Sequence, residues 1–391
     1  MIKRIYILAS LLLCGLTLSA EEKDVKFTWD VDFEMNFDNR EFYESAFTNS
    51  MTIFGARLTP AFGLEYLGKD GAGHRLMAGI DVMKDFGASP VSELLAGGKT
   101  DETLPRQNNL NLFREITLYY NLEKKIGDTG LELYAGIFPR KLLDGRWTQA
   151  FFSDSLSIYD NNLEGILLKL KRPKAHFELG ADWMGLTGEY RRERFMIFSS
   201  GEGQVLPLTT FGYSFYVYHY AGSRKVRGVV DNILINPYAR IDLGERMGMQ
   251  KFSITLGWLQ ALQNDRRNVG RYVFPGGGEF DLEARHWNIG VHNRFYFGTD
   301  IMPYYNSFDA GGFKYGAGSL YLGDPFYRVN DRGERKAGMY DRLEIFYAPK
   351  IGKYLEINVS AILHFNEFHY SGFQQMVGVR FNLNELINRK R

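Results

Sequence analysis

The chain has 391 residues, with 47 lysines and arginines against 46 aspartates and glutamates, a formal charge of +1 and 15% aromatic residues. This near-balance gives no basic excess to recruit nucleic acid. The single cysteine, Cys14, rules out a disulfide framework.

The first element is "MIKRIYILASLLLCGLTLSAEEKD", in which Lys3 and Arg4 precede an apolar run from Ile5 to Leu18, followed by Ser19, Ala20 and an acidic stretch. That order predicts a secretory signal peptide over residues 1–20. The run falls short of the roughly 20 apolar residues of a spanning helix. Leu13 is bulky where a lipoprotein signal needs a small residue, so Cys14 is not read as a lipid anchor. Removing residues 1–20 takes away Lys3, Arg4 and Cys14, and the charge falls from +1 to −1. Residues 21–391 are then expected to form one domain.

From residue 25 onward, alternation with period two replaces any helical spacing. In "VKFTWDVDFEMNF" the residues Phe27, Trp29, Val31, Phe33, Met35 and Phe37 oppose Lys26, Thr28, Asp30, Asp32, Glu34 and Asn36. "KAHFELGADWMG" sets Phe177, Leu179, Ala181 and Trp183 against His176, Glu178 and Asp182. "DNILINPYARIDLG" and "YLEINVSAILHFNEF" repeat the pattern, the second with Leu355, Ile357, Val359, Ala361, Leu363 and Phe365 against Glu356, Asn358, Ser360, His364 and Asn366. Strands are predicted at 25–37, 51–66, 74–84, 112–123, 130–140, 163–171, 174–184, 190–199, 206–220, 230–243, 250–262, 279–297, 301–308, 339–349, 354–366 and 373–384.

These runs approach the roughly 9–11 residues of a tilted strand crossing a bilayer, and exceed the 5–6 of an average soluble strand. Aromatics such as Trp29, Trp183, Phe297 and Tyr347 gather toward strand ends, where a membrane interface would lie. Connectors such as "EKKIGD", "RPK", "GERMGM", "GTD" and "KIGK" are short. Between them come long ones, including 85–111, 141–162, 263–278 and 309–338. The fold class predicted is all-β, a transmembrane antiparallel β-barrel of about 16 strands, 14 to 18, with both termini on the short-turn side. A barrel of this size is expected to leave an aqueous lumen.

The leader, the amphipathic strands and the alternating connectors together resemble a bacterial outer-membrane porin. The resemblance is architectural and covers residues 21–391. Porins also resemble one another in ending on a strand with a C-terminal aromatic; here "QQMVGVRFNL" carries Phe381 but is followed by "NELINRKR". The resemblance implies an outer-membrane location and passive diffusion of small hydrophilic solutes. Expected partners are outer-membrane lipid, lipopolysaccharide and those solutes, with a homo-oligomer or other outer-membrane proteins as further candidates. The alternative is a barrel anchor or component of a larger surface assembly, using the Gly- and Tyr-rich stretch 309–338 as a docking surface.

The polar strand faces supply Asp30, Asp32, Arg57, Lys169, Lys171, Arg240, Arg294, Glu356 and Arg380 as pore-lining candidates. Mixed signs fit either a salt-bridged hydrated wall or a selectivity ladder. The connector "KLLDGRWTQAFFSDSLSIYDNN" follows the fifth strand and is either an exposed outer loop or an inward constriction, for which it has what is needed. Arg146, Asp144, Asp154 and Asp160 bring charge, and Trp147, Phe151 and Phe152 bring an apolar anchor. "DNNLEG" at 160–165 begins like a calcium loop, but Lys171 stands where the bidentate carboxylate belongs. "YRRERF" at 190–195 offers Arg191, Arg192 and Arg194 either to an anionic substrate or lipopolysaccharide phosphate, or simply to solvent. No G-x-S-x-G, H-E-x-x-H or cysteine motif appears in residues 21–391. No enzymatic activity, metal or cofactor is therefore expected.

Overall fold

The computed structural model describes residues 25–43, 50–86, 113–330 and 337–388; the leader and much of the connector 85–111 lie outside them. A single sheet runs through β1 (Val25–Phe42), β2 (Met51–Leu67), β3 (Gly73–Asp85), β4 (Phe113–Ile126), β5 (Thr129–Pro139), β6 (Asn162–Arg172), β7 (Ala175–Gly185) and β8 (Arg194–Leu206). It continues through β9 (Thr209–Ala221), β10 (Val229–Asp242), β11 (Lys251–Asp265), β12 (Gly276–His286), β13 (Ile289–Gly298), β14 (Gly338–Tyr347), β15 (Lys350–Ile351), β16 (Leu355–Asn366) and β17 (His369–Asn382). Every pairing is antiparallel, and β1 pairs with both β2 and β17, from Asp32↔Asn382 to Phe42↔Gly372. The sheet is thus a closed barrel. The two-residue β15 pairs only with Leu355 and Glu356, and β14 and β16 pair directly, so sixteen strands form the wall.

The count of sixteen agrees with the sequence reading, but two of its members change. The run read as one strand over 279–297 is a hairpin that turns at Trp287 and Asn288, both with positive φ (49° and 65°). Such a turn usually carries Asn-Gly or Asp-Gly. With tryptophan in the first place the sequence shows no break, and a two-residue loop preserves the alternation across it. The strand expected at 301–308 is absent; those residues belong to a long connection entering the barrel, and "GTD" at 298–300 opens that connection instead of closing a short turn.

The outer surface is apolar: Phe62, Leu118, Ile197, Leu256, Ile345 and Val359 are all exposed there. On β16, Val359 faces out while Ser360 and His364 are buried inward, as the alternation requires. The expected open aqueous lumen is corrected. Toward the long-loop end the interior is a packed cluster of wall side chains (Phe138, Leu167, Phe198, Tyr218, Leu259, Tyr296) and loop side chains (Phe151, Leu322, Phe326, Tyr327). After β17, α2 (Leu383–Asn388) begins as Glu385 N–H donates to Asn382 Oδ1 at 2.8 Å.

Candidate functional site

The connection after β5 folds into the lumen. Its local structure is set by one buried carboxylate: Glu178 on β7 accepts from the N–H groups of Asp144 (2.8 Å) and Gly145 (2.9 Å) and from the Trp147 indole (2.7 Å). A Cβ at position 145 would lie 2.4 Å from Glu178 and 2.5 Å from Ser200, so only glycine passes between loop and wall. Arg146 then reaches across to Asn236 (2.8 Å), Glu279 (3.0 Å) and Asp281 (3.1 Å), its guanidinium over the Tyr238 ring. Phe151 and Phe152 anchor the loop in the apolar cluster. A short helix, α1 (Asp154–Tyr159), starts at Ser153, whose hydroxyl accepts from Leu156 N–H. It rests on the opposite wall, where Arg57 donates to the Ile158 carbonyl and Arg40 to Ser155.

The connection between β13 and β14 also turns inward. It meets the first loop through Ser153 N–H to the Leu322 carbonyl (2.9 Å) and Asp324 N–H to the Gln149 carbonyl (2.7 Å). Two carboxylates sit at this seam. Burial raises Asp324 to about 6, with Asp154 adding to the rise. Burial alone would also raise Asp154, but Arg342 holds it below the usual range.

Each residue named as a pore-lining or constriction candidate lies in the lumen or at its edge and has a partner. Asp144 meets Lys169 (2.6 Å) and Lys171 (2.8 Å), which share Glu132. Asp154 faces Arg342 (3.7 Å), and Asp160 faces Arg140 (3.3 Å). Asp30 accepts from Asn382 (2.8 Å), and Asp32 from Asn382, Arg380 and Lys141. Arg57 pairs with Asp81 (2.9 Å), Arg240 with Glu202 (2.8 Å) and Arg294 with Asp281 (3.0 Å). Glu356 meets Lys350 (2.6 Å) on an exposed edge at the short-turn end. A cavity of about 420 Å³ opens at that end, lined by Asp144, Lys171, His176, Glu202 and Gln204.

Sequence reasoning missed Glu279 and Asp281, which lay in a run read as one strand, and took the 309–338 stretch for an external docking loop. A usable signal was present in "YSFYVYHY", where Tyr216, Tyr218 and Tyr220 fall on the face that should be wet. Large aromatics on both faces of a barrel strand mean that something apolar fills the interior.

The seven histidines divide by position. His176, His292 and His364 are lumenal, with His292 3.1 Å from Asp281 and His364 bonded to Tyr340. His74 and His286 lie at the short-turn end, and His369 in the β16–β17 hairpin with Asn366 as its register partner. His219 is on the outward face near the long-loop end of β9. It stacks on Phe195 (4.7 Å between ring centroids), which stacks in turn on Trp183, and its register partner on β10 is Asp231. Asp231 accepts from Arg266 through both oxygens (2.7 and 2.8 Å) and from the Tyr272 hydroxyl (3.2 Å). Among the described residues no group of three or more His, Cys, Asp or Glu side chains is arranged to hold a metal ion.

Comparison with known proteins gives a family. Similar solved structures include OccAB4 of Acinetobacter baumannii (10% identity, 92% of this chain and 98% of that one, TM-score 0.46), OpdL of Pseudomonas aeruginosa (10%, 92% and 99%, 0.44) and a mutant Rhodopseudomonas blastica porin (9%, 92% and 100%, 0.44). No curated protein matches the chain. The family described as Lipid A 3'-O-deacylase-type matches residues 19–389, nearly the whole length. That match overturns the expectation of no enzymatic activity, because the family is named for an enzyme. The motifs sought in the sequence are local spacings of soluble hydrolases. A barrel instead assembles side chains across neighbouring strands, where no local motif arises.

Proposed function

Because the chain belongs to the Lipid A 3'-O-deacylase-type family, we propose that it is an outer-membrane hydrolase that removes an ester-linked acyl chain from lipid A. The observation that carries this reading is the family match over residues 19–389 of a chain folded as a closed barrel with an apolar outer face. Such a barrel sits in the membrane that holds the substrate, with its long loops toward the outer leaflet. An ester in that leaflet is reached from the barrel's outer face. His219 is the histidine that lies outward, near the long-loop end, opposite a carboxylate. In this reading His219 takes a proton from water as the water attacks the ester carbonyl. The acyl–oxygen bond then breaks, the imidazolium returns its proton to the departing sugar oxygen, and a free fatty acid and a sugar hydroxyl remain.

The test is mass spectrometry of lipid A incubated with purified protein. One acyl chain is lost with the wild type and kept with His219→Gln, whose barrel still shows heat-modifiable migration. Intact lipid A with a folded, heat-modifiable wild-type barrel would end this reading; equal activity of His219→Gln would reassign the base.

A second reading is favoured by the cavity at the short-turn end and the charged lumen beside it. There the barrel passes small hydrophilic solutes along the side of the inward loop, and Lys169, Lys171, Asp144 and Arg146 set which charges pass.

A further inference from the structure

Three successive connections at the long-loop end, 186–193, 222–228 and 266–275, hold eight cations against two acids in a chain whose charges otherwise nearly cancel. Lys225 pairs with Glu189 (2.6 Å), Arg192 with Asp309 and Arg266 with Asp231. Arg191, Arg224, Arg227, Arg267 and Arg271 are exposed and meet no carboxylate among the described residues. The lumenal arginines do the opposite: Arg57, Arg146, Arg240, Arg294 and Arg342 each have an acid.

The three connections form one surface. Arg224 N–H donates to the Gly188 carbonyl (3.0 Å), Lys225 N–H to that of Glu189 (3.3 Å), Arg267 Nη1 to that of Arg227 (2.9 Å) and Arg266 N–H to that of Val229 (3.0 Å). Just below it on the outward face lies the Trp183–Phe195–His219 stack, and the third connection adds the Tyr272–Phe274 pair. Aromatics of this kind mark the plane of the lipid head groups. Clustered guanidinium groups repel one another unless an anion lies between them, and their paired N–H groups match phosphate oxygens.

We propose that this rim binds the phosphate-bearing head of an outer-leaflet glycolipid of the lipid A class, holding its sugar beside His219. The choice of lipid rests on the reading given under Proposed function; the anion site rests on the unpaired arginines and the aromatic plane beneath them.

The experiment uses the intact barrel in neutral detergent. Wild type is compared with a fourfold Arg191→Gln, Arg224→Gln, Arg267→Gln, Arg271→Gln variant, and with Lys125→Gln, Lys174→Gln at the short-turn end as a control. Titrants are bisphosphorylated lipid A, enzymatically dephosphorylated lipid A and inorganic phosphate, with binding read from the lipid-bound mass of the intact protein. The wild type and the control should prefer phosphorylated lipid A by about tenfold or more, less so in high salt. The fourfold variant should lose the preference. Equal binding of phosphorylated and dephosphorylated lipid by the wild type, or full retention by the fourfold variant, overturns the proposal. Displacement of the lipid by equimolar inorganic phosphate also overturns it, making the rim a free-phosphate site. If the lipid binds as proposed but keeps all its acyl chains, the hydrolase reading fails and the rim stands; if acyl chains are lost equally by a fourfold variant that binds unchanged, the rim fails and the hydrolase stands.

Discussion

Arg146 shows how much of the interior depends on single side chains. Its partner Glu279 is fully buried, and Asp281 is nearly so. Removing the cation leaves Glu279 facing Arg294 at 3.9 Å as its closest remaining positive charge. Breaking a buried ion pair from one side costs about 3–5 kcal/mol, since the surviving charge stays out of water with at most a distant partner. Arg146→Ala is therefore expected to lower unfolding stability in detergent by that amount, measured by denaturant titration of the reconstituted barrel, while Arg146→Ala combined with Glu279→Gln recovers part of the loss. A single-variant loss below 1 kcal/mol would show the pair to be well solvated. The loop charges Asp144, Arg146, Asp154 and Asp160 were legible because a polar, acidic and aromatic connector followed the fifth strand. Their partners Glu279 and Asp281 were not, because register across a barrel is not written in any local window.

At the level of the strand, alternation was readable wherever one face meets lipid and the other meets charge, as on β1 and β16. It weakens on β9 and on the outer half of β6, where Leu163 and Leu167 point inward to the loops and both faces become apolar. The Trp287–Asn288 turn was hidden for a related reason: its left-handed residues are not the usual ones, so the hairpin read as one long strand. The facing of β16 can be tested directly. Arginine in place of Val359 on the lipid side is expected to cost about 2–4 kcal/mol near the bilayer midplane. The same substitution at Asn358, which is exposed on the opposite face, should change folding into vesicles little. Equal penalties at the two positions would contradict the assignment.

For the whole molecule, length and connector asymmetry pointed to a sixteen-stranded barrel, and the closed sheet agrees. The content of the lumen did not follow from size. Two connections, one of them read as an outer docking surface, enter the barrel and meet each other through paired backbone hydrogen bonds. A filled outer half leaves any solute route narrow, while the arginines without a carboxylate partner and His219 lie at the rim. Single-channel recording in a planar bilayer tests this most directly, comparing wild type with a variant in which residues 144–159 are replaced by a short Gly-Ser linker. A filled outer half predicts low conductance for the wild type and a several-fold rise in the variant, with the rise depending on removal of the loop's anchors at Glu178, Glu279 and Asp281. A large, steady conductance in the wild type, unchanged when the loop is removed, would contradict it.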